Sequence, residues 1–280
     1  MPPPGPAAEP KLPVPARLRE DDAFAHTRMS IGDHLEELRR RVAWGLAAIL
    51  LAFIPWYMAG DWLLTKLIVP LHSALPPDVL RNFRVIFTSP QESFMVYLEV
   101  SFLAAFLTTV PITFWLLWGF IAAGLYPHER KWVHVFAPAS FVLFLSGVAF
   151  LYFLVMPWML GFLIGFWNPP PVALPGGEPT PVVQHTVTLS SYVSFFLWMS
   201  ILMGLVFLTP LVQAFLALVG LVNPATFAAK RRHVIAGAVI VAAVITPPDV
   251  VSLIMTAVPF LVLYEVGIVV GKLLWKRRGS

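Results

Sequence analysis

Three stretches of this chain, residues 100–127, 135–177 and 179–229, contain no aspartate, glutamate, lysine or arginine. Each is longer than the ~20 residues that an α-helix needs to cross a bilayer. With 58% hydrophobic and only 12% charged residues, the chain lies far from the roughly 25% charge of a soluble domain. An all-α, polytopic membrane protein is the class these runs impose. No cysteine is present, which excludes disulfides, thiol catalysis and thiolate metal sites. The four excess positive charges are read by their location, and no nucleic-acid partner follows from them.

The chain enters the membrane through residues 29–42. Ile31, Leu35, Leu38 and Val42 recur at helical spacing, with Ser30 and Asp33 as a cap. His34, Glu36, Glu37, Arg39, Arg40 and Arg41 fill the opposite face, and residues 43–58 then carry no charge. Three arginines directly before an apolar helix hold that end on the cytoplasmic side. Residues 1–28 are proline-rich, carry several charges and have no apolar h-region. They are expected to be a disordered cytoplasmic tail.

Six spans are predicted, at 42–58, 93–122, 132–157, 189–219, 234–245 and 250–271, with both termini cytoplasmic and the last two helices short. The domain expectation is therefore a tail over 1–28, a six-helix membrane unit over 29–272 and a basic cytoplasmic end over 273–280. Residues 61–90 are broken by Pro70, Pro76 and Pro77 and read as an external cap with short helices. Residues 167–188, rich in proline and glycine, read as a second external loop. Pro111 marks a bend in the long second span. In this topology 16 of the 19 basic residues lie inside and only Lys66, Arg81 and Arg84 outside, the bias that orients membrane helices.

The catalytic patterns are missing: no P-loop, no H-E-x-x-H and no G-x-S-x-G. The seven histidines show no ligand spacing, so neither an enzyme nor a metal or other cofactor is expected. Acidic residues beside the internal span ends remain. Glu36 and Glu37 face Arg40 and Arg41 at i, i+4, where a surface pair contributes ~0.3–0.5 kcal/mol. Glu129 follows Pro127 at the start of the third span, where a carboxylate complements the helix dipole. The functional alternative is that Glu37 and Glu129 form an acidic site for a basic ligand. Asp249 reads as a turn-capping residue, Glu265 is an ionisable residue inside the last span with Lys272 as a candidate partner, and Glu99 is equally open.

Three segments carry a family pattern in order: His34-Leu-Glu-Glu-Leu-Arg-Arg-Arg41, Phe120-Ile-Ala-Ala-Gly-Leu-Tyr-Pro-His-Glu-Arg130 and Thr246-Pro-Pro-Asp249. Over residues 30–272 the chain resembles the TatC family, the signal-recognition core of the twin-arginine protein translocase. The resemblance implies a multi-pass protein of the plasma (inner) membrane that binds twin-arginine signal peptides of folded precursors. It implies export driven by the proton-motive force, in a multi-copy complex with TatA and TatB type single-span subunits in membrane lipid. By the family motifs, Glu37 and Glu129 would bind the arginines, Phe120, Leu125 and Tyr126 would shape the surface, and Arg39 and Arg41 would support it. Thr246, Asp249 and Ser252 would dock the partner subunits. The chain departs from the pattern at Ala123, Leu208 and Leu253; a polar role beside Pro210 would fall to Thr209 or Gln213. From a different class, a proton-coupled solute transporter would use Glu99 or Glu265, but the chain shows no inverted repeat.

Overall fold

The computed structural model describes residues 31–75, 84–165, 186–246 and 248–278. The expected tail over 1–28, Ser30, Arg81, most of the second external loop and Pro247 lie outside the described residues. Helix α1 (Ile31–Met58) is followed by α2 (Gly60–Ser73), strand β1 (Arg84–Ile86) and the long α3 (Glu92–Ala123). A 3₁₀ turn (Arg130–Trp132) leads into α4 (Val133–Phe150), a π turn (Leu151–Val155) and α5 (Met156–Gly165), which form one continuous rod. Strand β2 (Thr186–Thr188), α6 (Leu189–Val219), α7 (Pro224–Ala229), α8 (Arg231–Ile245) and α9 (Val250–Arg278) complete the chain.

Five of these segments are long and apolar enough to cross a bilayer: His34–Met58, Glu92–Ala123, Arg130–Gly165, Leu189–Val219 and Val250–Lys276. The molecule is thus a mostly helical, multi-pass membrane protein. Its outer faces fit that solvent. Trp44, Leu46, Leu50, Leu51 and Ile54 of α1 are all exposed, an arrangement natural against lipid and costly against water.

The expectation of two short final helices needs correction. Only α8 is short, with 15 residues or ~22 Å at 1.5 Å per residue. The last helix has 29 residues, because it contains no terminating signal at Gly271 and continues through the basic segment to Arg278. The third span also runs beyond its expected end at Pro157. A proline ring collides with the carbonyl four residues back. Here the ladder widens just before it, with the Met156 N–H donating to Leu151 O, five residues earlier, and the helix continues.

Helix α3 packs on α1, α4 and α6, and α6 forms the central post between α4 and α9. One core cluster lies toward the α2 end and joins Leu71, Val96, Met156, Met159 and Met199. At the opposite end Trp118, Val133, Phe136, Leu211 and Phe215 form a second cluster. Within it the Trp118 Nε1–H donates to Ser140 Oγ at 2.8 Å, so the indole is buried with its polar group satisfied.

The α2 end contains a feature not expected from the sequence. Strands β1 and β2 pair in parallel, with Arg84 opposite Thr186 and Ile86 opposite Thr188. Three-residue strands are too short to show an alternating pattern. Beside them the buried Glu92 carboxylate accepts hydrogen bonds from Thr88 Oγ at 2.9 Å and from the Ser190 N–H at 3.0 Å, tying the start of α3 to that of α6.

Candidate functional site

The opposite end of the bundle gathers the start of α1, the end of α3, the turn at 124–131 and the ends of α6 and α9. His34 of α1 stacks on Phe120 of α3, with ring centroids 4.2 Å apart and planes 21° from parallel. One turn further along α1, Glu37 forms an ion pair with Arg41 through Oε1. Arg41 reaches on to α3, where Nη1 donates to Leu116 O at 3.0 Å. Its guanidinium lies against Gly119, where any Cβ would strike Nη1. The Glu37 and Arg41 side chains are only 14% and 21% exposed, yet Glu37 Oε2 is buried without a hydrogen-bond partner.

Glu129 occupies the turn that follows α3. It is 8% exposed, and its Oε2 accepts from the Tyr126 N–H at 3.3 Å. The other oxygen lies 3.9 Å from His128 Nε2. Tyr126 is exposed and stacks against His128 at 5.9 Å, while Leu125 packs onto the Trp118 cluster. Glu129 also borders a cavity of about 290 Å³ whose other walls are His128, Lys131 and Trp132 of the same turn, Leu218 and Val219 at the end of α6, and Leu274 of α9. The lining thus sets one carboxylate beside a lysine, a histidine and apolar side chains, and within it Glu129 is the group that would attract a cation carried on an apolar body.

Six of the seven residues expected at the acidic site therefore have defined positions in one region. Arg39 is the outlier: it pairs at 3.4 Å with the exposed Glu36, three residues back, so the expected Glu36–Arg40 pair is replaced by this one. Among the described residues no hydrogen bond or ion pair joins Glu37 to Glu129; what they share is the end of the bundle. Leu274 is the contributor that the sequence does not flag, because residues 273–280 read as a basic terminus. Its apolar spacing continues that of α9, with Val266 and Val270 on preceding turns, and that was the available signal.

The expected partner site lies at the far end of α8. Thr246 is buried and its hydroxyl donates to Ala242 O at 2.9 Å. Asp249 caps α9 by accepting the Ser252 N–H at 2.7 Å, leaving Oδ2 buried and unpartnered. Ser252 itself is fully buried, so its hydroxyl does not reach the surface.

The remaining acids have local partners. Glu265 pairs with Arg231 of α8 at 2.6 Å, not with Lys272, because α8 folds back along α9. Glu99 accepts from Ser194 Oγ at 2.7 Å. Two polar residues of α6 are buried: Ser200, whose hydroxyl donates to Phe196 O at 2.7 Å, and Gln213, whose two amide atoms lack partners.

Residues 33–259 match the family model of the Sec-independent protein translocase protein TatC. The chain is 37% identical over 242 residues to the translocase protein TatC of Helicobacter pylori strain J99, covering 86% of this chain and 88% of that one. It is 35% identical over 245 residues to a TatC of Halothiobacillus neapolitanus, covering 88% of this chain and 63% of that longer relative. A crystal structure of the twin arginine translocase receptor TatC superposes with a TM-score of 0.71 at 29% identity, covering 86% of this chain and 99% of that one.

Proposed function

Because the chain belongs to the TatC family of Sec-independent protein translocases, we propose that it is the subunit that receives twin-arginine signal peptides at the cytoplasmic face of the plasma (inner) membrane. Glu37 and Glu129 are the acceptors, with Phe120, Leu125 and Tyr126 forming the surface around them. The observation that carries this reading is the state of the two carboxylates. Both are largely buried at the basic end of the bundle, and one oxygen of Glu37 has no partner.

Arginine presents a planar fork that carboxylates hold well, whereas lysine is a point charge. At such reduced exposure each guanidinium–carboxylate contact contributes ~1.5–3 kcal/mol. On this reading the site is one for binding, in keeping with a family of protein translocases.

On this reading the short α8 is a sixth crossing over a locally thinned bilayer, with both termini cytoplasmic. Single-span TatA and TatB type subunits dock along α8 and α9 near Thr246 and Asp249, and several copies assemble in lipid to export folded proteins. A six-helix unit is too small to enclose a folded cargo, so partners are required. The proton-motive force drives the cycle, one charge across 100 mV being worth ~2.3 kcal/mol.

The test is binding of a labelled twin-arginine signal peptide to the purified protein in detergent, beside a twin-lysine peptide and a Glu37→Ala/Glu129→Ala variant. Each change should weaken binding about tenfold or more, ~1.4 kcal/mol. Arginine preference with an unaffected double variant would remove these acceptors. No preference for arginine would sink the receptor reading itself.

A further inference from the structure

The acceptor at Glu37 is already half engaged. Arg41 holds Oε1, and Arg41 is itself anchored to another helix through Leu116 O at 3.0 Å and through its seat on Gly119. Three contacts on two helices keep that guanidinium in place. The second carboxylate oxygen, Oε2, is buried and unpartnered. A guanidinium that gripped both oxygens of Glu37 would have to bring its positive charge against that of Arg41, in surroundings where charges are weakly screened.

We propose that Arg41 makes Glu37 a one-oxygen acceptor: it leaves only Oε2 for an incoming cation and so sets how strongly that position distinguishes arginine from lysine. Resting on the signal-peptide reading above, this makes Arg41 a specificity-determining positioning residue that need not touch the peptide. A single acceptor oxygen is met almost as well by an ammonium as by one arm of a guanidinium, because the advantage of arginine lies in its two parallel donors. Among the described residues no arginine pairs with Glu129: one of its oxygens accepts the neutral Tyr126 backbone N–H and the other lies 3.9 Å from His128 Nε2. The two arginines of a signal are therefore read with unequal stringency.

The experiment compares Arg-Arg, Lys-Arg, Arg-Lys and Lys-Lys forms of one signal peptide, binding to the full chain in lipid nanodiscs. The readout is the ratio of dissociation constants, lysine over arginine, at each peptide position. Arginine and lysine carry the same charge, so a general electrostatic effect cancels in this ratio. In the wild type one position should show a ratio within about threefold, and the other about tenfold or more. Arg41→Gln should raise the smaller ratio to about tenfold and leave the larger one unchanged, and adding Glu37→Ala to it should abolish that rise.

Gly119→Ala gives a second route. It keeps every charge and a good helix former, yet its methyl displaces the Arg41 guanidinium from its seat, so the same rise is expected. Equal ratios at both positions in the wild type, or ratios that neither variant moves, would overturn the role of Arg41 while the receptor reading stands. If the Lys-Lys peptide binds as tightly as Arg-Arg in every protein, the receptor reading has failed and the inference with it.

Discussion

Gly147 of α4 lies against the main chain of α6 so closely that a Cβ there would stand 2.5 Å from Met203 O. The obstacle is backbone, which cannot rotate away. In a bilayer, where lipid is as apolar as leucine, helix association relies on such close packing of small residues. Gly147→Ala should therefore lower stability by about 1–3 kcal/mol, the usual cost of overpacking. Gly237 of α8 has nothing within 4 Å of its would-be Cβ. Gly237→Ala should be neutral or stabilising by up to ~1 kcal/mol, since alanine suits a helix interior better than glycine. Thermal unfolding of both variants in detergent checks the pair; a Gly147→Ala protein as stable as the wild type would mean that the α4–α6 contact is looser than described.

At the other end, Glu92 connects the loop before α3 to the first turn of α6 by accepting from Thr88 and Ser190. Glu92→Gln keeps the shape but removes the charge that strengthens these hydrogen bonds and turns part of the acceptor into a donor. It should expose the 84–92 and 186–190 segments to amide hydrogen exchange, whereas Glu36→Gln, on an exposed helix surface, should change nothing measurable. Unchanged protection in the Glu92 variant would remove this carboxylate as the tie between the two helices.

Much of this architecture was legible in the residues, and the misses have particular causes. Uncharged runs longer than a bilayer crossing announced α3, α6 and the helix that ends at Gly165, and i, i+4 spacing announced Glu37–Arg41. Pro157 misled because a proline normally ends a helix, and the π turn that accommodates it has no sequence signature. The sequence offers Lys272 as a candidate partner of Glu265 because it is near along the chain, while Arg231 is near only once α8 folds back on α9. The free oxygen of Glu37 was out of reach too. It depends on Arg41 reaching Leu116, 75 residues away, a tertiary fact that helix periodicity does not encode.

Gln213 offers a separate test of how polar groups are used inside the bundle. Both its amide atoms are buried without partners, and Oε1 faces Gly267 so closely that a Cβ there would lie 2.6 Å away. An unpartnered buried amide costs about 1–3 kcal/mol relative to a satisfied one. Gln213→Met, similar in volume and flexible, should raise stability by about 1 kcal/mol. The same variant should be assayed for export of a twin-arginine reporter. Greater stability with reduced export would assign the amide a working role beside Pro210; lower stability would show instead that the amide is satisfied by a group such as a buried water.

The last prediction concerns the end of α9. Leu274 packs onto the cluster of Trp118, Phe136 and Phe215 and forms one wall of the cavity that Glu129 borders. Truncation after Lys272 would remove that wall together with the basic residues beyond it. If the cavity receives part of the signal peptide next to an arginine, the truncated chain should bind the peptide about tenfold more weakly, ~1.4 kcal/mol. Leu274→Ala separates packing from charge, because it opens the wall and leaves Lys276 and both terminal arginines in place. A loss shared by the two variants assigns the effect to Leu274. A loss confined to the truncation assigns it to the basic residues, and binding undiminished in both would exclude the end of α9 from the site.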